Sequence, residues 1–190
     1  MRDAVPLGYP RTIENGAGER LTWLGMRLDD DGREYLDMKG ELEPGAGPPL
    51  HIHQLQTETI TVDGGRIGYV TGSGPQQFAG PGATMTFKPG EVHRFWNAGD
   101  SVATVHGWAS PPLNFEYLLT QTFASTKRNG GTRPNAVEAA YLLGRYRSEF
   151  AIAGIPKPVQ TLVFPLMRLV GKINGVSKRY TDAPPPVAAG

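Results

Sequence analysis

Between Arg20 and Trp108 the apolar residues fall in short runs, several of them alternating with polar ones, and turn residues interrupt them repeatedly. ERLTWLGMRL and REYLDMKGEL flank Asp29-Asp30-Asp31-Gly32, a hairpin turn. PLHIH, ETITV, RIGYV, ATMTF, HRFWN and VATVHGW follow, separated by Asp63-Gly64-Gly65, Gly72-Ser73-Gly74, Pro81-Gly82, Lys88-Pro89-Gly90 and Ala98-Gly99-Asp100. Short strands with turns every roughly 8 to 12 residues predict a sandwich or barrel.

The pattern changes at Pro111-Pro112. FEYLLTQTFAS reads as helix, and NAVEAAYLLGRYRSEF carries apolar residues at helical spacing with Pro134 just ahead of it. A third segment, PVQTLVFPLMRLVGKI, puts Val159, Leu162, Val163, Leu166, Val170 and Ile173 on one stripe, with Pro165 as a kink or break. APPPVAAG, residues 183–190, reads as disordered. The chain thus divides into an N-terminal arm (1–19), a β-barrel (20–112), a helical extension closing over the barrel or a dimer seam (113–182), and a tail (183–190).

Composition narrows the chemistry. Gly 25 and Pro 17 in 190 residues suit strands and tight turns better than a bundle. With Cys 0, disulfides, thiolate nucleophiles and Cys-held metals are excluded, so any metal has nitrogen and oxygen ligands. MRDAVPLGYPRTIENG lacks the apolar core of a secretory signal, and no run approaches the roughly 18 apolar residues of a spanning helix. The expectation is a cytoplasmic chain without membrane contact. The net charge of +1 is unevenly spread: residues 1–112 carry 9 Lys+Arg against 14 Asp+Glu, and residues 113–190 carry 10 against 4. The basic charges are scattered, which predicts docking on an acidic body and no nucleic-acid partner.

HIHQLQTETITVDGG places His51 and His53 on one face of a strand, with Glu58 opening the next. In KPGEVHRFWN, His93 shares its face with Phe95 and Asn97. Alone, each has an ordinary reading: exposed histidine, solvated carboxylate, loop histidine. Together they suit a first-row divalent ion with positions left for water, substrate or oxygen. Imidazole suits Fe, Ni, Cu, Co and Zn, and the carboxylate keeps Mn in the set. His106 is either a pocket acid–base group or a packed or surface residue. Phe87, Phe95, Trp96, Trp108 and Tyr69 are pocket wall or barrel core, with Phe95 best placed for the pocket.

These residues carry a resemblance. Gly45-x5-His51-x-His53-x4-Glu58-x6-Gly65 is similar to the first motif of the cupin superfamily at every fixed position. Gly82-x7-Gly90-x2-His93-x3-Asn97 resembles the second, with Lys88 where proline is common. The resemblance implies a mainly β fold, a double-stranded β-helix (cupin or jelly-roll barrel) to which this chain adds a C-terminal α-helical extension. It implies a metal in the barrel mouth, held by His51, His53, Glu58 and His93; the residue reading adds Phe95, Asn97 and His106 as candidates for the pocket of a small-molecule substrate. Gly65 and Gly90 sit at tight turns. Members resembling quercetin dioxygenase imply a non-haem metal dioxygenase, an oxidoreductase acting on a small aromatic or enolisable substrate. Glu58 would then be both ligand and, on swinging free, catalytic base. Other members imply Lewis-acid isomerase, lyase or polyketide cyclase chemistry, or a non-enzymatic binder of a small ligand. Such barrels often pair through edge strands, so a homodimer is expected.

Overall fold

Antiparallel pairing of short strands builds two facing sheets, described here from a computed structural model. It describes residues 8–154, 166, 169, 171 and 175–188. The elements are β1 (Arg11–Glu14), β2 (Glu19–Leu28), β3 (Glu34–Leu42), β4 (His51–His53), β5 (Thr57–Gly64), β6 (Ile67–Thr71), β7 (Gln77–Ala79), β8 (Thr84–Phe87), β9 (Val92–Asn97), β10 (Ala103–Ser110), α1 (Phe115–Arg128), α2 (Ala136–Arg145), β11 (Phe150–Ile152) and α3 (Val176–Arg179). One sheet runs β1-β2-β3-β10-β5-β8 and the other β11-β4-β9-β6-β7. The fold is a double-stranded β-helix with C-terminal helices.

The strands hold because their side chains alternate. Along β10, Ala103, Val105 and Ala109 are buried while Thr104 and His106 face out. Two cores result. Leu42, Ile60, Val62, Ile67, Met85, Phe87, Phe95 and Val105 fill the barrel. Trp23, Leu36, Met38, Phe115, Leu118, Leu142, Tyr146 and Phe150 join the barrel to the helices. The hairpin at Asp29 is locked by its own side chain, whose Oδ1 accepts from Asp31 N at 2.9 Å and Arg33 N at 2.8 Å.

The structure adds to or departs from the sequence reading at four places. The N-terminal arm contains a strand: β1 pairs with β2 from Arg11↔Trp23 to Glu14↔Arg20. Gln77–Ala79 forms β7 on the edge of the second sheet. The second helix ends at Arg145 rather than running to Phe150, and Phe150–Ile152 pairs with β4 instead. Pairing satisfies that strand's open edge, which outweighs continued helical spacing. The tail is docked through residue 188. Carbonyls of Ala183 and Pro184 accept from Arg145, Pro185 O from Asn114 Nδ2, and Val187 O from Ser148 Oγ. Its prolines lack N–H groups, so bonding to carbonyls needs no sacrifice of backbone donors.

Most of the predicted third helix (Val159, Leu162, Val163, Pro165, Val170 and Ile173) lies outside the described residues. Leu166 is helical and exposed. No described helix is long and apolar enough to cross a membrane.

Candidate metal centre

The second sheet supplies three imidazoles and the first supplies the carboxylate. His51 and His93 are directly opposed in the β4–β9 register. His53, two residues along β4, faces the same way, with ring centroids 4.7 Å from His51 and 5.3 Å from His93. Across the barrel, Glu58 on β5 sits opposite Phe87 on β8 and Ala109 on β10. One ligand atom from each of His51, His53, Glu58 and His93 falls within 4.8 Å of all the others. His53, Glu58 and His93 are buried, and His51 is half-buried.

The nitrogen chemistry points inward. His51 Nδ1 donates to Pro49 O at 2.8 Å and His93 Nδ1 to Glu91 O at 2.9 Å. A carbonyl only accepts, so both protons sit on Nδ1 and both Nε2 lone pairs are presented to the centre. His51 Nε2 lies 3.0 Å from His53 Nε2, and Glu58 Oε2 lies 3.1 Å from His93 Nε2 and 3.3 Å from His53 Nε2. Two donors about 2.1 Å from one ion at right angles are about 3 Å apart. The donor set and its spacing therefore fit a divalent cation.

Electrostatics agree. Burial, then the neighbouring His53 and His93, push the His51 imidazole down to about 3, which keeps it neutral and free to ligate. Burial alone would raise the Glu58 carboxyl. The imidazoles of His53 and His93 at hydrogen-bond distance, with His51 beside them, outweigh it when protonated and hold Glu58 well below the usual carboxylate range.

Aromatic rings enclose the imidazoles. Phe87 stacks on His93, with centroids 4.1 Å apart and planes 8° apart. Phe115 from α1 and Phe150 from β11 lie 5.2 and 5.4 Å from His53. Phe95 is buried in the barrel on His93's face.

The other anticipated pocket residues lie elsewhere. Asn97 is buried, but its amide is committed to a turn: Nδ2 donates to Leu42 O and Ser101 O, and Oδ1 accepts from Gly99 N. His106 faces outward and pairs with Asp63 at 2.6 Å. Trp108 packs edge-on against Tyr35 on the outer face, Trp96 lies under Arg94, and Tyr69 OH bonds Gln77. Sequence reasoning missed Phe115, Phe150, Gln56 and Glu149. Only Gln56 left a trace, sharing Glu58's parity on the same stretch.

Residues 38–107, which contain all four ligand candidates, match the family model described as Cupin domain. The match runs from within β3 to within β10 of the barrel. No curated protein matches the chain. Among solved structures it is similar to an uncharacterized conserved protein with a double-stranded beta-helix domain from Klebsiella pneumoniae, at 21% identity and TM-score 0.42, covering 56% of this chain and 83% of that one. It is also similar to a sugar phosphate isomerase from a cupin superfamily in Silicibacter pomeroyi, at 22% identity and TM-score 0.44, covering 56% and 74%. A third is the polyketide cyclase RemF from Streptomyces resistomycificus, at 23% identity and TM-score 0.43, covering 57% and 79%.

Proposed function

We propose that this cupin is a metal-dependent oxidoreductase of the dioxygenase type, acting on a small aromatic or enolisable molecule. The observation that carries the reading is the set of His51, His53, Glu58 and His93, four ligand atoms turned toward one another between the sheets. A divalent ion held there would supply Lewis acidity and, for a redox metal, a site for oxygen chemistry. The protein's own part is to hold and to exclude. Pro49 O and Glu91 O fix the imidazoles of His51 and His93, and Phe87, Phe115 and Phe150 keep water from the buried side. Aromatic walls suit an aromatic or otherwise apolar substrate, with His51 on the more open side.

Glu58 is both a ligand and the only buried carboxylate among the four. To take a substrate proton it must leave His53 and His93, because in their company its pKa is held down and it is a weak base where it stands. That same weakness favours a second reading, Lewis-acid isomerase, lyase or cyclase chemistry on a carbonyl substrate, in which Glu58 remains a ligand throughout.

Oxygen uptake by metal-loaded protein across a panel of flavonoids, polyphenols and enolisable diketones separates the two. Substrate-dependent consumption with an oxygenated product supports the first reading. Turnover to an isomer or cyclised product without consumption moves the assignment to the second.

A further inference from the structure

His53 differs from the other two histidines. Its Nδ1 is buried and has no hydrogen-bond partner among the described residues, whereas those of His51 and His93 each meet a carbonyl. Three residues on, Gln56 has no exposed surface, and its Oε1 is also buried without a partner. Its Nε2 donates to Glu149 Oε2 at 3.3 Å. The carboxylate only accepts, so the orientation of the amide is decided, and Oε1 is left as a free acceptor.

Glu149 is equally enclosed. Its carboxylate accepts from Asn114 N at 3.0 Å, Asn114 Nδ2 at 2.6 Å and Val187 N at 3.4 Å, while its carbonyl accepts from Gln54 N at 2.7 Å. The residues that follow Asn114 and Glu149 are Phe115 and Phe150, the two rings against His53. The helical extension and tail therefore converge, through one buried carboxylate, on the surroundings of a single ligand.

We propose that Gln56, held by Glu149, which Asn114 holds in turn, is the positioning residue of His53. The two atoms are not bonded to each other in the metal-free protein. With His53 Nε2 turned to an ion, its Nδ1 carries the proton and needs an acceptor, and Gln56 Oε1, three residues on, is a buried acceptor still free to take it. The inference rests on the metal-centre reading above. It assigns Asn114, Glu149 and Val187, which follow the barrel strands, a part in holding the site.

The test uses Co²⁺ as the probe, with affinity read by competition titration and ligand geometry by the visible ligand-field bands. Full-length wild type, Gln56→Met and Glu138→Gln are compared, with melting temperature measured on each. Glu138 is the structural control, since it ties α1, α2 and α3 together through Arg128, Arg179 and Tyr180, away from the ligands. Gln56→Met is expected to weaken Co²⁺ binding about ten- to hundredfold and to shift the bands, while Glu138→Gln lowers the melting temperature and leaves both unchanged. Asn114→Ala, one step further from the ligand, is expected to do the same more mildly and serves if Gln56→Met does not fold. Wild-type affinity and bands in Gln56→Met or Asn114→Ala would overturn the positioning role, as would an equal loss in Glu138→Gln. A wild type that binds no Co²⁺ would overturn the metal reading itself, and this proposal with it.

Discussion

The backbone N–H of Gly90 donates to the carbonyl of His53 at 2.7 Å. The turn before His93 is thus bonded directly to the strand that carries His51 and His53. Gly90 holds a φ of 79°, a left-handed conformation that side chains resist, and Gly65 holds 85°. The two positions differ in space. A Cβ at Gly90 meets none of the described residues within 4 Å, whereas one at Gly65 lies 2.9 Å from Ala103 Cα and Cβ. Gly90→Ala is expected to cost about 1–2 kcal/mol from backbone strain alone. Gly65→Ala is expected to cost about 2–4 kcal/mol, since overpacking adds to the strain. Urea denaturation of both variants checks the order.

His51 makes the metal-free protein sensitive to acid. Its imidazole is held down to about 3 in the fold against an ordinary value near 6.5. Between those values the unfolded chain takes up a proton that the folded chain refuses, so stability rises with pH across that window. It is complete above about 6.5 and is lost as pH falls toward 3. The depressed Glu58 carboxyl acts in the same direction, below its ordinary range. Melting temperature against pH, compared between wild type and His51→Gln, is expected to show a shallower acid decline in the variant.

The barrel strands were legible because alternation and turn residues are local signals. The ligand candidates were legible because they lie between residues 51 and 93, at spacings that strand geometry constrains. What could not be read depends on distant pairs. Gln56 meets Glu149 across 93 positions, and nothing local to either residue marks the other. Phe150, the first residue of β11, reads as the end of a helix because it keeps helical spacing from Tyr146, and only the open edge of β4 decides otherwise. The facing of His106 became clear once β10 was aligned with β5 through the shift at Thr104/Val105.

His106 and Asp63 pair on the outer sheet face, both about half exposed. His106→Ala is expected to change stability by no more than about 1 kcal/mol and to leave metal content untouched. A drop in metal content would place His106 in the centre after all. Thermal melts and elemental analysis of the one variant read both.

Glu138 is buried and bonded to Arg128 at 2.7 Å, to Tyr180 OH at 3.1 Å and to Arg179. Both arginines are substantially exposed, so solvent screens much of the attraction. Glu138→Gln is expected to cost about 1–2 kcal/mol, mainly through weakened charge-assisted hydrogen bonds. Guanidinium denaturation with far-UV and aromatic signals followed together measures it.

Elemental analysis of untagged protein purified without chelators, then reconstituted with Fe²⁺, Mn²⁺, Ni²⁺ or Co²⁺, bears on the ligand assignment itself. Wild type is expected to hold one equivalent, with binding weakened by more than about a hundredfold in His53→Ala, His93→Ala and Glu58→Ala, beyond the cost of losing an outer partner. Folded wild type that retains no metal after reconstitution, or alanine variants that retain it undiminished, would contradict the assignment of His51, His53, Glu58 and His93 as a metal centre.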